Sequence, residues 1–377
     1  MNRFFIFCCI VFFYGCSSSV EHKIVPETEP KGVSEKIKYA KGFEIIHFDG
    51  FSKLKILNSF KGNNQQFEYI IYADSIQFQS SDAVLIQIPV KRMAALSSTY
   101  IPFLKLLEER NSIVGISGKN TIYDSLIYNR TNNGGIKDLG EPTLNIEQTV
   151  VLNPDLIMGF AIDAKSMKQL IELKRFGLKV LINAEYMEES PLAKAEWIKV
   201  FGLIYNKKKV ADSIFEAIES NYLKLVKQVE SVENKPTVFS SAPWKGTWFV
   251  PGGNSFQAKL FKDAGAEYLW KDNKENVSLS LDFEVVLSKA LTADYWLNVS
   301  NFQTLQEISE ADERFELFEA YINKQVYNNT KTLTSYYGND YWETGAARPD
   351  YILADLVHIF HPEINPKHVY NYYQKLN

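Results

Sequence analysis

The chain has 377 residues, 46% hydrophobic and 14% aromatic, which is enough apolar material for two lobes with substantial cores. Its formal net charge of -4, with no basic cluster of the kind a phosphate backbone needs, argues against nucleic acid as a partner. Cys8, Cys9 and Cys16 are its three cysteines, so the rest of the chain has no disulfide framework, thiol nucleophile or cysteine zinc knuckle.

In chain order, Met1-Asn2-Arg3 opens with one positive charge, and an apolar run over residues 4–13 follows. The run is too short to span a bilayer and reads as an export signal. It ends Tyr14-Gly15-Cys16, a small residue directly before a cysteine, which resembles the lipoprotein processing box. That resemblance implies a signal with its lipidated cysteine over residues 1–16, Cys16 as the acylated first residue, and an exported, membrane-anchored protein facing the periplasm. Residues 17–36 are polar and broken by Pro26 and Pro30, as in a flexible tether. Residues 37–80 carry FEIIHF and FEYIIY, with turn residues at Asp49-Gly50 and Lys61-Gly62-Asn63-Asn64. They predict an N-terminal β extension of antiparallel strands.

From residue 81 short apolar strands alternate with helical text, the pattern of α/β layering around a mainly parallel sheet. Strands are predicted over 92–96, 113–116, 156–160 and 179–182, making an N-terminal lobe of residues 81–206. Residues 207–232 place Val210, Ile214, Ile218, Tyr222, Leu225 and Val229 at helical spacing without Gly or Pro. They predict a linking helix of roughly 40 Å. Strands over 237–240, 295–299 and 325–327 then build a C-terminal lobe of residues 233–377. The predicted fold class is α/β: two lobes with mainly parallel sheets, joined by one long α-helix, plus the N-terminal β extension. A faint internal echo, LNIEQTVVLNPDLIM against LSLDFEVVLSKALTADYWLNV, relates the two lobes.

The runs KRMAALSSTYIPFLKLLEERNSIVGIS and GGIKDLGEPTLNIEQTVVLNPDLIMGF, with GGNSFQAKLFKDAGAEYLWKD, LDFEVVL and RPDYILADLVHIFHPE, resemble the iron-siderophore and cobalamin binding-protein family of ABC importers. The likeness spans residues 82–377, and Asn153-Pro154-Asp155 before an apolar strand is its most specific element. It implies a substrate-binding lipoprotein that captures a small-molecule metal chelate of the siderophore type and passes it to the importer's membrane subunits. Cobalamin or heme is the alternative cargo. No catalytic residue, resident cofactor or bare metal site is implied. The resemblance also gives Glu147 and Glu284, at matching places in LNIEQ and LDFEV, the role of docking to arginines of the two membrane subunits. A carboxylate that merely favours a helix N-terminus is the other reading of each, and Asp282 stands two residues before Glu284.

Five of the six tryptophans lie in the second lobe. Trp270 and Trp296 sit in apolar text and are assigned to packing. Trp244, Trp248 and Trp342 fall in SAPWKGTWFVPGG and YYGNDYWETGAARPD, with Tyr336, Tyr337 and Tyr341 near the last. Loops at strand ends build ligand clefts. Flat side chains suit a bulky ligand, and Arg348 or Lys245 would pair with its anionic groups. Each loop aromatic equally fits packing on its own lobe. In lobe one the cleft candidates are Ser97, Ser98, Thr99 and Tyr100, then Lys119 and Asn120, with Ser98 and Thr99 reading better as helix caps. His358, His361 and His368 invite a metal test, but the first lobe supplies no histidine to complete a site between lobes, and His361-Pro362 reads as a helix end. No G-x-S-x-G elbow, P-loop or G-x-G-x-x-G marks an enzyme. A glycosidase carboxylate pair, which has no spacing signature, and a surface interaction protein using the β extension are the readings from other classes.

Overall fold

The computed structural model describes residues 31–63, 65–74 and 83–377; Cys16, the export signal and most of the tether lie outside the described residues. The N-terminal sheet runs β1 (Val33–Ser34), β2 (Phe43–Phe48), β3 (Phe51–Ile56), β4 (Phe67–Tyr72) and β5 (Val84–Gln87), in that spatial order. β1 to β4 pair antiparallel and β5 lies parallel to β4. Phe48 pairs with Phe51 across the two-residue turn Asp49-Gly50, where Gly50 takes φ 82, the left-handed conformation such a tight hairpin requires. The sheet is longer than residues 37–80: the end of the predicted tether supplies β1, and β5 fills the free edge of β4.

This extension is part of the core rather than an appendage. Phe43, Ile45, Leu54, Ile56 and Tyr69 are buried, and the Phe43 ring lies 4.9 Å from that of Trp197. Two buried carboxylates hold the segment between β1 and β2. Glu196 accepts the backbone N–H groups of Lys38, Tyr39 and Ala40 at 2.8, 2.7 and 3.0 Å. Glu188 accepts those of Lys41 and Gly42 and the indole N–H of Trp197.

Lobe one contains β6 (Met93–Ala95), β7 (Ile113–Ile116), β8 (Lys137–Asp138), β9 (Leu156–Gly159) and β10 (Val180–Ile182). They form a wholly parallel sheet in the order β10-β9-β6-β7-β8. The inner strands β6 and β9 are buried throughout, which is why they read as uninterrupted apolar text. The Asn153-Pro154-Asp155 motif has a local role here. Asn153, at φ 43, caps the helix Ile146–Leu152, and Asp155 accepts the N–H groups of Lys91 and Arg92, which fixes the approach to β6.

The linking helix is Lys208–Val229, about 33 Å at the usual rise, and it buries Ala211, Phe215, Ile218, Tyr222 and Val229. It stops short of residue 232 because the Val232 N–H closes a turn on the Val229 carbonyl. Lobe two contains β11 (Thr237–Ser240), β12 (Pro243–Trp244), β13 (Thr247–Val250), β14 (Glu267–Tyr268), β15 (Leu279–Leu281), β16 (Tyr295–Leu297), β17 (Val326–Asn328) and β18 (Gln374–Lys375). Its main sheet, β14-β11-β16-β17-β18, is parallel except for β18. A small antiparallel sheet, β12-β13-β15, occupies text that reads as loop in the sequence. The architecture is the predicted α/β class: two lobes of mainly parallel sheet, one long helix between them, and the β extension.

Candidate functional site: the cleft between the lobes

Side chains from the loops beyond the carboxyl ends of the two parallel sheets meet across the lobes. At one end of the seam the Tyr336 ring stacks on Tyr128, with centroids 3.6 Å apart and planes within 8°. Beside it Glu343, in the short helix Asp340–Glu343, accepts the N–H groups of Tyr123 and Asp124 at 2.7 and 2.9 Å. Gly338 abuts the Ile122 carbonyl so closely that no Cβ fits. Burial, opposed by those two N–H groups, pushes the Glu343 carboxyl up to about 8. At the other end Asn276 donates to Glu189 at 3.1 Å. There a cavity of about 890 Å³ opens between the extension with Glu188 and Ser190 on one side and Gly253, Ser255 and Lys259 on the other. None of the sequence-predicted cleft residues lines that cavity.

Beyond the carboxyl ends of the strands lie the loops after β6, β9, β11 and β16, the position where α/β sheets bind ligands. Trp244 stands 64% exposed on the β12–β13 hairpin, with the Lys245 ammonium 4.5 Å over its ring. Trp342 is 60% exposed, and Tyr337 is exposed as well. The backbone beneath the second lobe's rim is unusual: Ser241, after β11, has φ 75, and Asn298 and Ser300, after β16, both have φ 58. Left-handed backbone without glycine is strained and gathers at functional sites. Asn298 donates to Ser240 Oγ at 3.3 Å, while its Oδ1 is buried without a hydrogen-bond partner. Sequence reasoning missed Phe160 and Ile162, exposed just after β9; an aromatic residue directly following a buried strand was the available signal.

A family model described as periplasmic binding protein matches residues 93–333, more than half of the chain. The chain belongs to the periplasmic binding protein family. It is similar to an uncharacterized lipoprotein of Methanocaldococcus jannaschii, 27% identical over 93% of this chain and 89% of that protein. Among solved structures it resembles a possible iron-binding periplasmic solute-binding protein of Staphylococcus epidermidis, with TM-score 0.57 at 20% identity over 72% of this chain and 99% of that one. It also resembles a periplasmic heme binding protein of Pseudomonas aeruginosa, with TM-score 0.57 at 14% identity over 72% and 93%. At such identities these structural likenesses are likenesses of fold.

Three cleft expectations for this binding protein need correction. Trp248 is fully buried, its indole N–H donating to the Ser240 carbonyl at 3.1 Å amid Phe239, Phe283, Trp296, Phe315 and Phe318. Strand alternation in β13 turns Trp248 and Val250 inward and Phe249 outward. Tyr100 is also core, 6.0 Å from Phe201, and burial holds its hydroxyl well above the usual phenol range. Arg348 spends its guanidinium on Asp350 at 2.9 and 2.7 Å, and Asp350 also accepts from Asn221 of the linking helix. An acid two residues downstream, at the start of the helix Pro349–Phe360, captures the fork before a ligand can.

The other candidates divide by surroundings. Lys119 follows β7 with its ammonium 3.7 Å from Asp138. Thr99 donates to Glu185 at 2.8 Å, and Ser97 Oγ accepts the Thr99 N–H, so this loop satisfies its own polar groups. Trp270 and Trp296 are buried. His368 bonds Asp355 at 2.7 Å, and buried His361 contacts the Gly265 carbonyl. Among the described residues no group of three or more His, Cys, Asp or Glu side chains is arranged to hold a metal. Glu147 and Glu284 are both exposed and both occupy the first turn of the helix preceding an inner parallel strand, Ile146–Leu152 before β9 and Phe283–Ala290 before β16.

Proposed function

We propose that this protein captures a metal chelate of the siderophore type in the cleft between its lobes and delivers it to an ABC importer. The observation that carries the reading is the set of exposed aromatics, Phe160, Trp244, Tyr337 and Trp342, at strand ends of a periplasmic binding protein fold. Large flat side chains on such loops suit contact with a bulky, partly apolar ligand. Cys16 is the lipid anchor in this reading, with the polar stretch that follows it as tether; a relative covering most of the chain carries lipoprotein in its name. Glu147 and Glu284 dock the two lobes to the two membrane subunits. The linking helix, continuous over 22 residues, resists bending, so closure on ligand is small.

The test is native mass spectrometry of the mature chain against ferric chelates, a corrinoid and heme, followed by titration of tryptophan fluorescence. A single class should bind and quench. Trp244→Ala and Trp342→Ala should each weaken binding by about 1 to 3 kcal/mol while moving stability by less than about 0.5 kcal/mol. Failure of every chelate to bind, or variants that bind normally, removes the assignment.

A further inference from the structure

Resting on the chelate-capture reading, we infer that Lys194 anchors the cargo between the lobes, its ammonium donating to an oxygen acceptor on the chelate. Lys194 belongs to the helix Pro191–Glu196 of lobe one, whose other five side chains are all buried. That helix packs against lobe two, touching the helix Phe256–Asp263, the turn Thr344–Ala346 and the helix Pro349–Phe360. Lys194 alone in it keeps partial exposure, and its ammonium crosses to lobe two, 4.5 Å over the Phe256 ring. Among the described residues the ammonium makes no hydrogen bond and no ion pair, so that ring is its one direct contact. Burial lowers its pKa, and Glu185 and Glu188 oppose the shift from beyond ion-pairing distance. Those carboxylates serve other donors: Glu185 accepts from Thr99 at 2.8 Å, and Glu188 accepts from the N–H groups of Lys41 and Gly42 and from the Trp197 indole. A cation drawn out of water normally acquires an acceptor, and an aromatic face replaces only part of the hydration it gives up. The acceptor Lys194 lacks is one a ligand can supply.

The surroundings connect this ammonium to the cleft. Thr99, bonded to Glu185, belongs to the loop after β6. Tyr186, the next residue, packs edge-on at 6.2 Å against Phe160, the exposed aromatic that follows β9. A cavity of about 400 Å³ opens here, lined by Tyr186, Met187 and Glu188 of lobe one and by Pro251, Phe256 and Gln257 of lobe two. Phe256 both lines the cavity and lies under the ammonium, so a ligand seated there comes within reach of the Lys194 side chain. Gln257 adds a second unmet donor, since its Nε2 is buried without a hydrogen-bond partner. Two donors short of acceptors beside one apolar ring fit a ligand whose periphery carries oxygens, and such polar groups at the base of a mostly apolar site fix orientation.

The experiment replaces Lys194 in the mature chain by Met, which keeps the length and the apolar stem without a donor, and by Arg, which keeps charge and donors. Parent and variants are titrated by tryptophan fluorescence with a ferric tris-hydroxamate, a ferric tris-catecholate, heme and a corrinoid, whose peripheral oxygens are hydroxamate, phenolate, carboxylate and amide in turn. For whichever of these the parent binds, Lys194→Met should weaken affinity at least about tenfold, the scale of a lost hydrogen bond to a charged donor. Lys194→Arg should stay within about threefold of the parent. Both variants should melt close to the parent, since Met removes a partly desolvated charge along with its contact to the ring. Affinity in Lys194→Met within about threefold of the parent overturns the anchor and leaves chelate capture standing. Weakened binding in both variants together with a clearly lower melting temperature also overturns it, because Lys194 is then a structural clamp on Phe256. Binding of none of the four to the parent chain removes the functional reading and the anchor with it.

Discussion

The two lobes share a parallel-sheet plan, yet their strand-end loops differ in kind. In lobe one the rim is mostly small and polar and satisfies itself, Ser97 to Thr99 to Glu185, and the N-terminal sheet braces the lobe through Glu188 and Glu196. In lobe two the rim carries exposed Trp244, Tyr337 and Trp342 on backbone that is left-handed at Ser241, Asn298 and Ser300. The difference assigns rigidity to the first lobe and most of the free contact area to the second, with a stiff helix holding them in register.

The brace is the strongest test of that contrast. Glu196 is fully buried and gathers three backbone N–H groups and the Lys199 ammonium. Glu196→Ala leaves those donors without their acceptor, and should cost about 3 to 5 kcal/mol in denaturant unfolding. Ligand affinity measured well below the melting temperature should change little. A loss of stability under about 1 kcal/mol means the extension is not a brace and the lobes are more alike than described.

A second, smaller effect belongs to the seam where lobe two rests on lobe one. The Glu343 carboxyl keeps its proton in the folded protein up to about pH 8, whereas an unfolded glutamic acid releases it near its ordinary value. Between those limits the unfolded state binds fewer protons, so stability falls as pH rises, by at most about 1.4 kcal/mol per pH unit. The groups around it, Asp124 and Asp340, add repulsion in the same direction. Glu343→Gln should abolish this slope between about pH 5 and pH 8 relative to the parent chain, and the difference in unfolding free energy across that window measures it. Parallel curves for the two proteins sink the account of the seam.

Much of this architecture was legible because its signals are local. The linking helix follows from six apolar side chains at one spacing, and the inner strands from apolar runs beside turn residues. The cleft was harder for a physical reason in each case. Trp244 and Trp248 stand four residues apart in one Gly/Pro-rich stretch, and only the pairing of β13 with β15, about thirty residues on, decides that one is exposed and the other core. Glu343 looks like any acidic residue because its partners lie about 220 positions earlier. Arg348 was misread although Asp350 is a near neighbour: the spacing was visible, but the geometry that makes the pair bidentate was not. The extension was recognised as β structure, and its fusion with the core was hidden in carboxylates far along the chain.

The smallest effect expected on the folded protein concerns Glu147 and Glu284, a feature in which the lobes are alike rather than different. Glu147 and Glu284 each sit in the first turn of a helix, and neither is needed by the cleft. Glu284 is 77% exposed and only loosely paired with Arg314 at 3.6 Å, a contact that competes weakly with an arginine on a partner. A two-lobed protein meeting a pair of membrane subunits needs a matching contact on each lobe, and paired charges orient such an encounter. Replacing both residues with alanine should shift stability by less than about 1 kcal/mol, the scale of a lost helix-terminal charge, and leave chelate affinity unchanged. Uptake through the cognate importer should be abolished, and each single variant should fall between. Normal uptake in the double variant removes docking from these positions, and a parallel fall in chelate affinity moves them into the cleft.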